Sequence, residues 1–338
     1  QRGMQNWDGK IHYITKTGQF KIGLLPKVYD MCIEMGIKPK VVDMRQPLPK
    51  VSKVVTKIGK YKLRPEQEKA VKAVINNTIG GKPFHIGVLD YTVNAGKTLI
   101  MSSLYLSYKK QLKTLLITND SDWLNQAREE FKQYLPGEDI TFVQGKVLNW
   151  SNFTIGMVQS ISRNMRFYQK ELSQIDMVLI DEADQGGSKQ YQNVITRLFN
   201  TRIRIGLSGT IYMSKLAKDK VKNMNLECFF GKVLAEFKLR DSIKKGYSTK
   251  TVVKMVPGKP WYGNWESDCI SYKEIYDDSI TNSYTAWLMA YSRLRWNINQ
   301  GRYPALVVCK HIAHCENLYK FFKKKLGDAY NIAYVHVN

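Results

Sequence analysis

The sequence predicts a parallel α/β fold, and three observations carry that expectation. From about Leu63 onward, short apolar runs alternate with amphipathic stretches of helical period, the pattern of a parallel sheet covered on both faces. One apolar run, Val178-Leu179-Ile180, ends abruptly in Asp181-Glu182-Ala183-Asp184, as a buried strand does when it delivers acids to the edge of such a sheet. Another apolar run is followed by Asn94-Ala95-Gly96-Lys97-Thr98, the make-up of a loop that holds phosphates at the start of a helix.

Taken in order, residues 1–57 form a small α/β unit. His12–Thr15 and Gln19–Ile22 alternate like a hairpin around Lys16-Thr17-Gly18. Leu25–Met35 has helical spacing and stops at Gly36, a favourable cap. A short strand is expected at Lys40–Asp43, and Gln46-Pro47-Leu48-Pro49 marks a linker. Residues 58–245 form the main unit. Strands are expected at His85–Leu89, Thr114–Thr118, Thr141–Val143, Thr154–Val158, Met177–Ile180 and Ile203–Leu207. Helices are expected at Lys97–Lys109, Ser121–Tyr134 and Tyr191–Phe199. Residues 246–338 begin a second α/β unit, with strands at Thr251–Met255, Ala305–Cys309 and Asn331–Val337 and a basic helix at Ala313–Lys325.

The charge balance narrows the partner. Of 338 residues, 52 are Lys or Arg against 29 Asp or Glu, leaving a net charge of +23. Such a surplus calls for a polyanion held through its phosphates. No apolar run approaches the length of a membrane-spanning helix and the basic residues are spread along the chain, so nucleic acid is favoured over a membrane. Five cysteines without C-x-x-C spacing fit a reducing cytoplasm, the host's if the chain is phage-encoded. Cys309, His311, His314 and Cys315 lack structural-zinc spacing. The start, Gln1-Arg2-Gly3-Met4, has no signal-peptide pattern and no initiator Met, so the chain is expected to be a fragment at that end.

The strand ends carry the chemistry. In the loop Thr92–Thr98, Tyr91 stands where the strict pattern has its first glycine, and Asn94 replaces another. The physics tolerates both. Backbone N–H groups and the helix N-terminus still face the anion, Gly96 permits close approach, Lys97 reaches the outer phosphates, and Thr98 is a Mg²⁺ ligand. Three carboxylates in four residues at 181–184 repel one another unless a cation lies among them. A Mg²⁺–nucleotide complex supplies one, with Asp181 as the metal ligand and Glu182 orienting or deprotonating the attacking water. The expected catalytic set is Lys97, Asp181 and Glu182, with ATP and Mg²⁺ as the ligands.

Leu63-Arg64-Pro65-Glu66-Gln67 before the loop, the acid box after it, and Ser208-Gly209-Thr210 at the end of the next strand form an ordered set. That set resembles the first motor domain of superfamily 2 helicases over residues 63–210. The resemblance implies a RecA-like motor domain, a partial second RecA-like domain, and an ATP-dependent motor moving on nucleic acid. It places Arg64 and Gln67 at the adenine and Asn94, Ala95, Gly96, Lys97 and Thr98 at the phosphates. Asp184, Ser208 and Thr210 would couple ATP state to grip, and Asn119, Gln159 and Ser160 would touch the nucleic-acid backbone. Arg-Pro-x-Gln and Ser-Gly-Thr are closer to the DNA-translocating branches than to the RNA helicases that share the letters Asp-Glu-Ala-Asp. Trp7-Asp8-Gly9-Lys10 and Gly23-Leu24-Leu25-Pro26 are similar to the small N-terminal domain of phage branch-migration helicases of the UvsW type. That likeness implies single-stranded, forked or branched DNA as partner and roles in replication, recombination and repair.

Trp261, Tyr262 and Trp265 in a Pro/Gly-rich segment are candidate base-stacking residues, as is Lys310 for a phosphate. Packing of that segment as an interdomain anchor is the alternative. Gln300-Gly301-Arg302 mimics the family's final motif in the wrong place, so the arginine finger is expected to lie outside this chain. Two other functions fit less well: a nucleic-acid clamp with a decayed nucleotide site, for which Tyr91 and Asn94 speak, and an RNA-directed motor.

Overall fold

The computed structural model describes residues 10–108, 111–145, 147–211, 217–250, 271–302 and 304–335. It divides into two compact units, Gln1–Lys250 and Thr251–Asn338. The first is built on β1 (His85–Tyr91), β2 (Thr114–Thr118), β3 (Ile140–Gln144), β4 (Phe153–Met157), β5 (Met177–Asp181), β6 (Ile203–Ser208) and β7 (Val233–Phe237). All seven run parallel in the order β7-β1-β6-β5-β2-β4-β3, and the two-residue strand Val147–Leu148 adds antiparallel to β3. This is the RecA-like α/β fold the sequence predicts, with each expected strand of residues 58–245 in place to within two residues of each end.

Period-two alternation divides each strand between two cores. Leu179 of β5 joins Leu89, Leu116, Ile155 and Ile205 on one face, beneath α2 (Pro65–Ile75), α3 (Lys97–Ser107) and α4 (Ser121–Tyr134). Its neighbours Val178 and Ile180 join Val88, Leu115 and Ile117 on the other. That face is covered by α5 (Val158–Arg163), α6 (Gln169–Ser173), α7 (Lys189–Ile195) and α8 (Ala217–Phe230). Covering both faces is what lets such strands be apolar throughout. β7 is the edge strand the sequence reading missed. Its Glu236 lies on the open side, which breaks the apolar run, and its pairing with β1 shifts register between Val233 and Ala235.

The N-terminal segment packs on this sheet. Ile14 and Phe20 pair across the turn at Gly18, as expected of a hairpin. Helix α1 (Leu25–Glu34) ends in a Schellman cap: Gly36 adopts φ +75° and the Ile37 N–H reaches the Cys32 carbonyl at 2.8 Å. Gly23 is required by packing, because a Cβ there would overlap the backbone carbonyl oxygens of Glu227 and Cys228 at the end of α8. The strand expected at Lys40–Asp43 is not formed. Asp43 turns the chain instead, accepting from the Arg45 N–H at 3.0 Å, and lies 3.3 Å from Arg202. The segment is thus docked by side chains rather than by a ladder.

The first unit ends with α9 (Leu239–Lys244), and the second, among its described residues, contains α10 (Tyr272–Tyr276), α11 (Tyr284–Asn299) and α12 (Ile312–Leu326). Leu318, Phe321, Phe322 and Leu326 of α12 pack with Trp287, Tyr291, Leu294 and Ile298 of α11. The basic helix is where the sequence places it. Ala305–Cys309 forms no strand, and Leu306 and Val308 are 89% and 82% exposed. A strand needs a paired neighbour to satisfy its backbone, and among the described residues none lies beside this run. Residues 331–335 likewise form no strand, while Thr251–Met255 and the Trp261–Trp265 segment lie outside the described residues. Among the described residues no helix is long and apolar enough to cross a membrane.

The sheet makes a pH prediction through His85, buried at the start of β1 with Nδ1 2.7 Å from the Val74 carbonyl oxygen. Burial, aided by Arg202 and Arg45, holds its pKa below the ordinary imidazole value. The unfolded chain therefore takes up this proton first, and the associated stability is lost as pH falls from about 7.5 toward 5.5. Urea unfolding across that range should show a smaller loss for His85→Gln than for the wild type; equal slopes would exclude this origin.

Candidate active site at the carboxyl ends of the strands

Between β1 and α3 the chain turns through two left-handed residues, Asn94 (φ 63°) and Gly96 (φ 72°). Asparagine tolerates this conformation better than most side chains, which is why Asn94 can stand in for a glycine. Tyr91 does not crowd the loop: its ring is fully buried and its hydroxyl donates to the Glu66 carbonyl at 2.7 Å. The substitution that made the loop look irregular therefore anchors α2 instead. At Gly96 a Cβ would overlap Gln67 Nε2, so close packing and positive φ both demand glycine.

Arg64 and Gln67 brace this loop from the start of α2. Gln67 Oε1 accepts from the Arg64 N–H at 2.8 Å, and its Nε2 donates to the Ala95 carbonyl at 2.8 Å. Arg64 Nη2 donates to the Asn94 carbonyl at 3.1 Å, while its guanidinium lies 4.4 Å from the centre of the Tyr247 ring. Lys245 reaches the buried Glu66 at 2.7 Å. Tyr247, Lys245 and Glu66 escaped the sequence reading, because nothing in local spacing links positions so far apart in the chain.

Strand β5 delivers the acids. Asp181 is 3% exposed, and Lys97 Nζ lies 3.5 Å from its Oδ1. That separation is an ion pair but long for a hydrogen bond, and among the described residues Oδ1 has no hydrogen-bond partner. Burial raises the Asp181 pKa against the opposing pull of Lys97. Glu182 takes the left-handed φ of 50°, and its pKa is raised by burial and then by Asp181 and Asp184. The cluster thus lacks positive charge. A buried carboxylate oxygen facing Lys97 at the start of α3, where Thr98 is the next residue, fits the hard oxygen donors that Mg²⁺ takes.

Asp184, Ser208 and Thr210 come together. Ser208 Oγ donates to Asp184 Oδ1 at 2.8 Å and accepts from the Thr210 N–H at 3.1 Å. Asn119 and Gln159 also meet, Gln159 Nε2 donating to the Asn119 carbonyl at 3.3 Å. Ser160 faces elsewhere: its hydroxyl accepts from the Gly145 N–H at 2.9 Å. A residue the sequence reading passed over, Gln185, connects two of these groups. It accepts from Asn119 Nδ2 at 2.5 Å and donates to Glu182 Oε2 at 3.1 Å. In the second unit, Lys310 Nζ lies 4.1 Å from the centre of the Tyr272 ring.

Residues 60–213 match the family model described as the res subunit of type III restriction enzymes. The chain is 20% identical over 355 residues to the ATP-dependent DNA helicase uvsW of Enterobacteria phage T4, covering 97% of this chain and 66% of that protein. The chain thus spans just under two thirds of that relative's length. A crystal structure of the UvsW helicase from bacteriophage T4 superposes with a TM-score of 0.53 at 22% identity, covering 69% of this chain and 84% of that one. A second structure of T4 UvsW gives a TM-score of 0.53 at 20% identity, covering 95% of this chain and 64% of that one. In motif order, sequence and fold the chain resembles superfamily 2 helicases of the UvsW type, as its motifs led us to expect.

The loop geometry gives a direct prediction. Gly96→Ala forces a side chain into a left-handed position against Gln67, and binding of a fluorescent ATP analogue should weaken by about tenfold or more, while far-UV circular dichroism stays unchanged. Unaltered affinity would show that the turn at Gly96 does not shape the site.

Proposed function

We propose that this chain binds and hydrolyses ATP as part of a DNA helicase or translocase of superfamily 2. The observation that carries the reading is the approach of Lys97 to Asp181 at 3.5 Å, with the buried Asp181 Oδ1 otherwise without a partner. A strand end and a helix start converge there from separate parts of the chain, setting a cation against a buried carboxylate as a metal–nucleotide site requires. The similarity to a protein named as an ATP-dependent DNA helicase supports the same reading.

In this mechanism the N–H groups of Asn94–Thr98 and the start of α3 cradle the phosphates, and Lys97 neutralises the outer ones. Thr98 and Asp181 would hold Mg²⁺, which when bound supplies charge neutralisation at the phosphoryl oxygens. Glu182, with its pKa raised, orients the attacking water and takes up its proton. Arg64 and Gln67 hold the loop and face the base. Asp184, Ser208 and Thr210 carry the change in phosphate state to the strand ends beside them. DNA phosphates pass along the ends of β2 and β4, at Asn119 and Gln159, drawn by the net charge of +23.

The finer reading is of a motor on forked or branched DNA. In it residues 1–57 form an accessory DNA-binding domain, 58–245 the ATP-binding domain and 246–338 part of a second motor lobe. The Trp261–Trp265 segment and Lys310 then engage DNA, and the arginine finger comes from outside the chain. The protein works in the host-cell cytoplasm in replication, recombination and repair. The decayed-site alternative loses ground, because Tyr91 faces the core and Asn94 takes the conformation the loop needs.

Steady-state ATP hydrolysis without nucleic acid and with single-stranded DNA, forked DNA or matched RNA tests this reading. Forked DNA should stimulate most. Glu182→Gln should cut turnover by about 10²–10⁴-fold while keeping nucleotide binding, and Lys97→Ala should lose both. Equal stimulation by RNA would point to an RNA motor, and DNA binding without hydrolysis to a clamp.

A further inference from the structure

At the opposite edge of the sheet from the phosphate loop, a second positively charged site lies outside the chemistry described so far. Arg204 is the second residue of β6, paired in register with Ile86 at the start of β1. It is 7% exposed, its Nε has no hydrogen-bond partner, and Nη1 donates to the Phe229 carbonyl at a long 3.3 Å. A cavity of about 260 Å³ opens beside it, lined by Lys21, Arg45 and the aromatic rings of Phe20, Phe199 and Phe229 among others, with no acidic side chain in its wall.

The surrounding charges do not balance. Arg45 is held by Asp43 through Nε at 2.9 Å and Nη2 at 2.7 Å, and the same carboxylate lies 3.3 Å from Arg202. Glu227, on α8 nearby, is paired with Lys27 at 2.5 Å. Lys21 lies over the Phe229 ring at 5.6 Å. One carboxylate therefore serves Arg45 and Arg202, and among the described residues no acid pairs with Lys21 or Arg204.

The C-terminal end of α8, where the Phe229 carbonyl sits, offsets part of the Arg204 charge through the helix dipole. Burial and the neighbouring Arg45 push its pKa down to about 10, so the guanidinium remains protonated at neutral pH. An isolated buried charge is among the more costly features a fold can carry. Guanidinium presents a planar fork of donors that matches phosphate oxygens. The cavity is smaller than the pockets that enclose drug-sized ligands, which fits a compact anion.

We propose that the cavity formed by Arg204, Arg45 and Lys21 at the amino ends of β1 and β6 is a binding site for a phosphate group, either free or carried on a nucleic-acid strand. Its place is distinct from the nucleotide loop, since Arg204 stands at one end of β6 and Ser208 at the other. The N-terminal segment supplies two of its three cations, so occupancy ties that segment to the sheet.

The test must silence the nucleotide loop, which also takes phosphate. In a Lys97→Ala background, thermal unfolding is followed against inorganic phosphate at constant ionic strength, with and without Arg204→Met, which keeps the apolar stem. A saturable rise in Tm that disappears with Arg204→Met is the expected result. No saturable rise, or the same rise in both proteins, would overturn the proposal. Lys21→Gln at the exposed rim serves as a second variant should Arg204→Met fail to fold, and should weaken phosphate binding several-fold; unchanged binding would count against the site. A DNA arm separates the sources. If the phosphate belongs to a strand, Lys21→Gln lowers DNA affinity and reduces the salt slope by about one ion. If the anion is free, DNA affinity is unchanged while the response to phosphate is still lost.

Discussion

The crowding of carboxylates at the end of β5, with one lysine facing them, is the constraint from which the rest of the site follows. Asp181, Glu182 and Asp184 would all prefer water or a cation, yet the strand that carries them is buried on both sides. Burial raises the pKa of the first two, so a further positive charge among them would be stabilising. Lys97 approaches without closing a hydrogen bond. An arrangement that costs stability when empty is compensated by the ligand that completes it, as expected where binding and chemistry share one cluster.

Holding these groups apart requires stiffness, and the parallel sheet provides it. Each of β5, β6, β1 and β2 is flanked by two parallel neighbours, so the ends that carry Asp181, Ser208, the phosphate loop and Asn119 are fixed relative to one another. Side chains then join what the backbone aligns. Gln185 stands between Asn119 and Glu182, and Ser208 between Asp184 and Thr210. A change in the position of either acid is thereby felt at the ends of β2 and β6. On the nucleotide side, Arg64 and Gln67 hold two carbonyls of the loop, those of Asn94 and Ala95.

How much of this was legible depended on distance along the chain. The central strands could be located because a strand covered on both faces is apolar throughout, and β2 and α4 begin and end where the sequence places them. The placement of Lys97 and Thr98 at a helix start and of Asp181 and Glu182 at a strand end was legible because the loop and the acid box are local patterns. β7 was hidden by exposed Glu236, since an edge strand is free to be polar on its open side. Lys40–Asp43 looked like a strand because pattern alone cannot show that Asp43 is claimed by Arg45 and Arg202. Gln185, Lys245 and Tyr247 were invisible for a related reason: their roles come from partners brought close only by the fold. Arg204 belongs to the same group, as a charge inside an apolar run that the strand reading had no use for.

The account turns on Asp181 meeting a metal ion together with the nucleotide. The most direct measurement is the affinity of a fluorescent ADP analogue with and without Mg²⁺, for the wild type and for Asp181→Asn. We expect Mg²⁺ to strengthen binding by about tenfold or more in the wild type and by far less in Asp181→Asn. The same Mg²⁺ dependence in both proteins would contradict the role assigned to the end of β5.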